Sequence, residues 1–119
     1  MYYELSLAPH GPPVTPRSRP LLRGIDARVL KRAAEIIKLL GHPERLKIVE
    51  VLEAGEHTVG ELCELSGLEQ AICSQHLRRL RGLHVVEGRK DGQHVIYRLI
   101  EPKVPMILDC IRKCDVPRS

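Results

Sequence analysis

Between positions 25 and 81 apolar residues recur every three or four places, a spacing that predicts a succession of short amphipathic helices. Val29, Ala33, Ile36, Ile37 and Leu40 form the first stripe, behind Asp26 as N-cap, with Gly41 stopping the helix as a C′ glycine. Pro43 sits where a first-turn proline belongs and opens a second helix, with Leu46, Val49 and Leu52 inward, that Gly55 ends. Thr58-Val59-Gly60-Glu61 has the capping-box spacing, in which Thr and Glu satisfy orphan N–H groups reciprocally. The helix it opens is short, carrying Leu62 and Leu65 before Ser66-Gly67 breaks it. A longer helix follows over Gln70 to Arg81, with Ile72, Leu77 and Leu80 facing inward. Two helices joined by so tight a turn make a helix-turn-helix.

The period then changes to two. Val85 to Lys90 and Gln93 to Leu99 flank Asp91-Gly92, a strong signal for a two-residue hairpin. A final helix from Pro102 to Cys114 aligns Val104, Ile107, Leu108, Ile111 and Cys114 on one stripe. Residues 1–24 hold five of the nine prolines and little periodic apolar content, so they read as a flexible arm. The expected fold is mainly α: over residues 25–116, a winged helix-turn-helix with a two-stranded β-hairpin wing and an extra helix at each end.

Composition narrows the function. The 119 residues fit one small domain and exclude a two-domain enzyme. Leu, Ile and Val total 36, enough aliphatic material to exclude a disordered chain. There is no Phe or Trp and there are three Tyr, so a single-stranded nucleic-acid binder built on stacking platforms is excluded as well. No apolar run approaches the roughly 18 residues of a membrane span and no signal peptide opens the chain, so a cytoplasmic protein with reduced thiols is expected. The net charge of +4 is unevenly placed. Residues 44–69 set seven Glu against Arg45 and Lys47, whereas 70–98 set five Arg and Lys90 against Glu87 and Asp91. An acidic block beside a basic one suggests that one surface meets a polyanion.

That basic block falls on the second helix of the motif and on the hairpin. Gln70, Ser74, Gln75, Arg78 and Arg79 are residue types that read a DNA major groove: Gln pairs with adenine, Arg with guanine or phosphate, Ser with either. The N-terminal part of a recognition helix reaches the bases, which favours Gln70, Ser74 and Gln75 as readers and Arg78 and Arg79 as phosphate contacts. The hairpin presents Arg89, Lys90, Gln93 and His94 for contact by a wing.

Residues 39 to 99 resemble the ArsR/SmtB family of bacterial metal- and redox-sensing repressors. The matching pieces are Gly41-His42-Pro43-Glu44-Arg45-Leu46, Glu61-Leu62, Ser74-Gln75-His76-Leu77-Arg78-Arg79-Leu80-Arg81, and Arg89-Lys90-Asp91-Gly92-Gln93 through Tyr97-Arg98-Leu99. The resemblance implies a homodimeric repressor, paired through its terminal helices, that binds a near-palindromic double-stranded operator and leaves it when an effector binds. It also adds His76 to the DNA-binding set. The apolar stripes on both end helices fit such a dimer, since one small monomer cannot readily cover them. Two positions depart from the family pattern: Glu69 stands where a small or hydroxyl residue usually caps the recognition helix, and His84 where Gly usually precedes the wing.

Four cysteines in a cytoplasmic chain point to metal ligands or redox thiols rather than a disulfide framework. Cys63, in Glu61-Leu62-Cys63, matches the first cysteine of the family's metal motif, but Leu65 replaces the second. Cys73, on the recognition helix, is a weaker candidate. Cys110 and Cys114, four apart on one helix, can share As(III), Cd(II) or Zn(II), with Cys63 as third ligand, or be oxidised instead. The family's other zinc site on the last helix looks lost, because its matching positions are Glu101, Lys103, Cys114 and Pro117. No catalytic arrangement or phosphate loop is present, which excludes an enzyme. The remaining alternative is a winged helix used for protein contact, without effector sensing.

Overall fold

Asp26 caps the first helix: its Oδ1 accepts the Arg28 N–H at 2.7 Å, and α1 runs Ala27–Leu40. This computed structural model describes residues 24–114, so the Pro-rich arm lies outside the described residues. The chain divides into two compact units, one ending at Leu30 and the other beginning at Lys31. In the first, Ile25, Val29 and Leu30 are exposed. In the second, α1 ends without the left-handed glycine expected at Gly41. The Gly41 N–H donates instead to the Lys38 carbonyl at 3.2 Å, a tightened last turn that satisfies one orphan group.

Pro43 starts α2 (Pro43–Glu53) and the Thr58–Glu61 capping box starts α3 (Val59–Ser66). The Glu61 carboxylate accepts the Thr58 N–H at 2.8 Å, which holds that carboxyl below its usual value. Gly67, left-handed at φ 75°, closes α3 and lets the chain turn directly into α4 (Gln70–Gly82). The helix-turn-helix is thus built by caps at both ends of a helix only eight residues long.

The expected β-hairpin wing forms, and a short third strand extends its sheet. The strand β1 (His57–Thr58) pairs antiparallel with β3 (His94–Leu99), which pairs antiparallel with β2 (Val86–Asp91). Two residues of β1 carry no periodicity to read, so pairing by a distant strand creates this element. Asp91 pairs with His94, which makes the loop Gly92-Gln93, one residue later than Asp91-Gly92. Gly92 takes φ 65°, the positive value that hairpins with glycine at the first loop position require.

The core gathers aliphatic side chains from every helix of the second unit: Ile36, Ile48 and Leu62, then Leu77 and Leu80 of α4, and Val104 of α5 (Lys103–Arg112), all at most 1% exposed. Cys73 lies among them, fully buried. Five residues expected inside are not, Val29 of the first unit among them. Ile37, Leu65, Ile111 and Cys114 are exposed, so the stripes on α1 and α5 are wider than this body covers.

His84 explains one departure from the family pattern. It is the single non-glycine residue with positive φ among the described residues, at 58°. A side chain there costs about 1–2 kcal/mol in clash with the following carbonyl. Replacing His84 with Gly is therefore expected to raise unfolding free energy by up to about 1 kcal/mol, after the extra freedom glycine gives the unfolded chain. Urea denaturation measures it, and no gain would mean that the exposed imidazole makes compensating contacts.

Candidate nucleic-acid interface

The α4 helix buries one side and offers the other. Cys73, His76, Leu77 and Leu80 face the core, while Gln70, Gln75, Arg78 and Arg79 are exposed and Ser74 is half-buried. Glu69 occupies the N-cap but makes no side-chain capping bond, so the helix start keeps free N–H groups beside a carboxylate. Arg78, Arg79 and Arg81 form no ion pair among the described residues, which leaves three cationic heads in solvent on one helix. An open groove of about 410 Å³ runs between α4 and β3, lined by Ser74, Arg78, Arg81, Gly82 and Tyr97. It is polar and cationic, matched to phosphate rather than to an apolar ligand.

On the wing, Lys90, Gln93 and His94 are exposed, but two arginines are already engaged. Arg89 donates to Glu56 at 2.8 Å, and Arg98 pairs with Glu87 at 2.6 Å. A phosphate contact by Arg89 would require it to give up this carboxylate. Exposed pairs contribute about 0.2–1 kcal/mol, so Glu56→Gln is expected to strengthen binding to every duplex by roughly 2- to 5-fold at low salt. Arg89→Ala should weaken all duplexes alike and lower the slope of log affinity against log salt by about 1. A loss confined to one sequence in a salt-dependent binding titration would assign Arg89 to base reading instead.

His76 is placed differently from the other residues of the DNA-binding set. It is 8% exposed, with both ring nitrogens engaged by α2: Nδ1 lies 3.2 Å from Arg45 Nε and Nε2 lies 2.9 Å from Glu44 Oε1. Its position between Gln75 and Leu77 turns it inward, a consequence of helical phase that the motif string alone does not display.

The four cysteines separate into two pairs. Cys63 is half-buried on α3 and Cys73 is buried beneath α4; burial first, and Cys63 second, push the Cys73 thiol up to about 12. Such a thiol is protonated and inert at neutral pH. Cys110 and Cys114 are both exposed, and the Cys114 Sγ–H points to the Cys110 carbonyl at 3.6 Å. Cys63 does not join them: among the described residues the one group of three potential metal ligands is His42, Glu44 and His76, and it contains no cysteine. Glu101, one of the positions matching the family's last-helix zinc site, is buried and already occupied, accepting Arg32 Nη2 at 2.9 Å and the Lys103 N–H at 3.1 Å. Burial pushes its carboxyl upward, but those bonds and cations hold it below its usual value.

Comparison with known proteins matches residues 42–87 to the model of the bacterial regulatory protein, arsR family. Over 84 residues the chain is 40% identical to the uncharacterized HTH-type transcriptional regulator Rv0081 of Mycobacterium tuberculosis, covering 70% of this chain and 74% of that one. The chain belongs to the arsR family. This arsR-family chain is also similar to the solved transcriptional repressor BigR from Xylella fastidiosa, at TM-score 0.67 and 35% identity, over 78% of this chain and all of that one. A further likeness is to the homodimeric winged helix-turn-helix domain of Mb0332 from Mycobacterium bovis, at TM-score 0.64 and 25% identity, over 78% and 86% of the two chains. The arsR-family chain is therefore a DNA-binding transcriptional regulator with a winged helix-turn-helix fold, and not an enzyme. No helix among the described residues is long and apolar enough to cross a membrane.

Proposed function

We propose that this chain is a homodimeric repressor of a near-palindromic double-stranded operator, released by a thiol-reactive effector at Cys110 and Cys114. The observation that carries the effector assignment is the contrast between the two thiol pairs. Cys110 and Cys114 are exposed and four residues apart at the end of α5, whereas Cys73 is buried with its thiol held protonated. Neighbouring thiolates on one helix face suit a soft cation such as As(III), Cd(II) or Zn(II), with Cys63 of the other protomer as a possible third ligand to be tested. They also suit loss of two electrons and two protons to an oxidant, closing a disulfide, or the same loss with insertion of sulfane sulfur donated by a reactive sulfur species, closing a polysulfide bridge.

The dimer reading is supported by the exposed apolar residues Ile37 on α1 and Met106 and Ile111 on α5, and by the homodimeric Mycobacterium bovis relative. In the DNA reading, Gln70, Ser74 and Gln75 contact bases, Arg78 and Arg79 hold phosphates, and Arg89, Lys90, Gln93 and His94 carry the wing contact. A mobility-shift titration against the promoter upstream of the chain's own gene tests this function, run with and without arsenite, cadmium, zinc and a persulfide donor. A shift reversed by one of these agents, and no longer reversed when Cys110 and Cys114 are both replaced by Ser, is the expected result. Unchanged release in that double variant would remove the thiol assignment, and no shift with any DNA would favour the protein-contact module.

A further inference from the structure

His76 is the most deeply buried ionisable side chain of α4 apart from Cys73, and the DNA-facing residues leave it unexplained. Arg45 Nε donates to its Nδ1 at 3.2 Å, so that nitrogen carries no proton. The ring proton therefore sits on Nε2 and is donated to Glu44 Oε1 at 2.9 Å. Arg45 Nη1 also donates to the Leu39 carbonyl at 3.0 Å, one of the last carbonyls of α1 and without a helical partner. A continuous hydrogen-bonded path thus runs from the end of α1, through the first turn of α2, to the middle of α4.

We propose that Arg45, Glu44 and His76 form a strut that fixes the angle of α4, and that His76 is a positioning residue for DNA reading rather than a DNA contact. The inference rests on α4 being the recognition helix. Base-reading side chains must be held within about 0.5 Å and 10–20° of their working geometry. The aliphatic contacts under α4 are non-directional and tolerate a roll of the helix. Two hydrogen bonds to opposite edges of one buried ring do not, because rolling α4 breaks one of them or both. His76 lies next to Gln75 and two residues before Arg78, so the strut acts where the exposed readers stand.

The same side chains invite a metal reading, since one ligand atom from each of His42, Glu44 and His76 lies within 4.8 Å of the others. The tautomers oppose it. A metal-binding imidazole keeps its other nitrogen protonated and aimed at an acceptor. Here both Nδ1 atoms face donors: Arg45 Nε–H for His76, and for His42 the Glu44 N–H at 3.3 Å that caps α2. The Arg45 guanidinium adds a positive charge beside any cation. The donors fit a strut.

The test uses the full chain with a duplex of the promoter upstream of its own gene, a random duplex of equal length, and imidazole ¹⁵N spectra recorded without DNA. His76→Leu and Arg45→Leu are each expected to weaken promoter binding about tenfold, with the double variant no weaker than the worse single one, because both remove one strut. Random-duplex binding, governed by phosphates, should change less than about twofold. His76→Gln, whose amide can accept from Arg45 and donate to Glu44, should keep promoter affinity within about threefold of the parent. The spectra should show His76 protonated at Nε2 alone, and added zinc should leave the His42 and His76 signals in place. Effects that multiply in the double variant, a Gln variant as weak as Leu, a proton on Nδ1, or a stoichiometric zinc shift of the His42 and His76 signals would each overturn the strut. If His76→Leu does not fold, the Gln variant and the tautomer decide. Failure of the parent chain to bind either duplex would instead overturn the recognition-helix reading, while the spectra still report on the strut.

Discussion

Alanine at both Gln70 and Gln75 is expected to remove sequence-specific DNA binding and to leave the fold intact. The two side chains are exposed on α4, and Gln is a residue type that reads adenine bidentately. A well-placed bidentate contact to a base is worth about 1–3 kcal/mol, and losses at separate positions roughly add. The pair together therefore carries about 2–6 kcal/mol, or roughly 30- to 10⁴-fold in affinity for the promoter duplex. Binding to random duplex should fall far less, since the arginines proposed to hold phosphates, Arg78 and Arg79, are untouched. Exposed substitutions away from core and caps usually stay within about 0.5 kcal/mol, so the melting transition should not move measurably. An anisotropy titration with both duplexes checks this. Equal losses on the two would mean that α4 supplies charge alone and the sequence is read elsewhere.

The second large effect is on stability. Leu77→Ala removes a side chain 1% exposed, from the inner side of α4. Leu→Ala at such sites costs about 2–5 kcal/mol, because the lost burial is compounded by a cavity. A domain of this size has about 5–15 kcal/mol in total, so a large share of the folded state's advantage disappears. The corresponding fall in Tm is about 10–25 °C, read by circular dichroism. Arg79→Ala, on the exposed side of the same helix, is the control and should shift Tm little. A loss below about 1 kcal/mol for Leu77 would mean that neighbouring aliphatic side chains collapse into the gap.

Most start and stop signals in the sequence translate directly into structure because their partners are three or four residues away, the left-handed glycine expected at Gly41 being the exception. The Thr58–Glu61 box, Pro43 at the head of α2 and Gly67 at the end of α3 each form as the local spacing predicts. Signals that depend on partners farther along the chain do not translate. The β1 strand exists only because residues forty positions away pair with it, as His57 does with Tyr97. Ile37 and Leu65 belong to apolar stripes, but a stripe says which side of a helix is apolar and not how much of it one body covers.

The candidate site divides along the same line. Residue types on α4 point to DNA from the string of letters alone, since Gln, Ser and Arg carry that chemistry wherever the helix exposes them. The sequence by itself determined the order of helices and wing, the placement of the basic block on the recognition helix, and the family. Only the tertiary structure decided that His76 turns inward to Arg45, that Arg89 is held by Glu56, and that Cys63 lies by Cys73 rather than beside Cys110 and Cys114. Each of the two hydrogen bonds joins residues more than thirty positions apart. Periodicity and capping act over one or two turns, so they carry no information about which distant side chain completes a partner's hydrogen bonds.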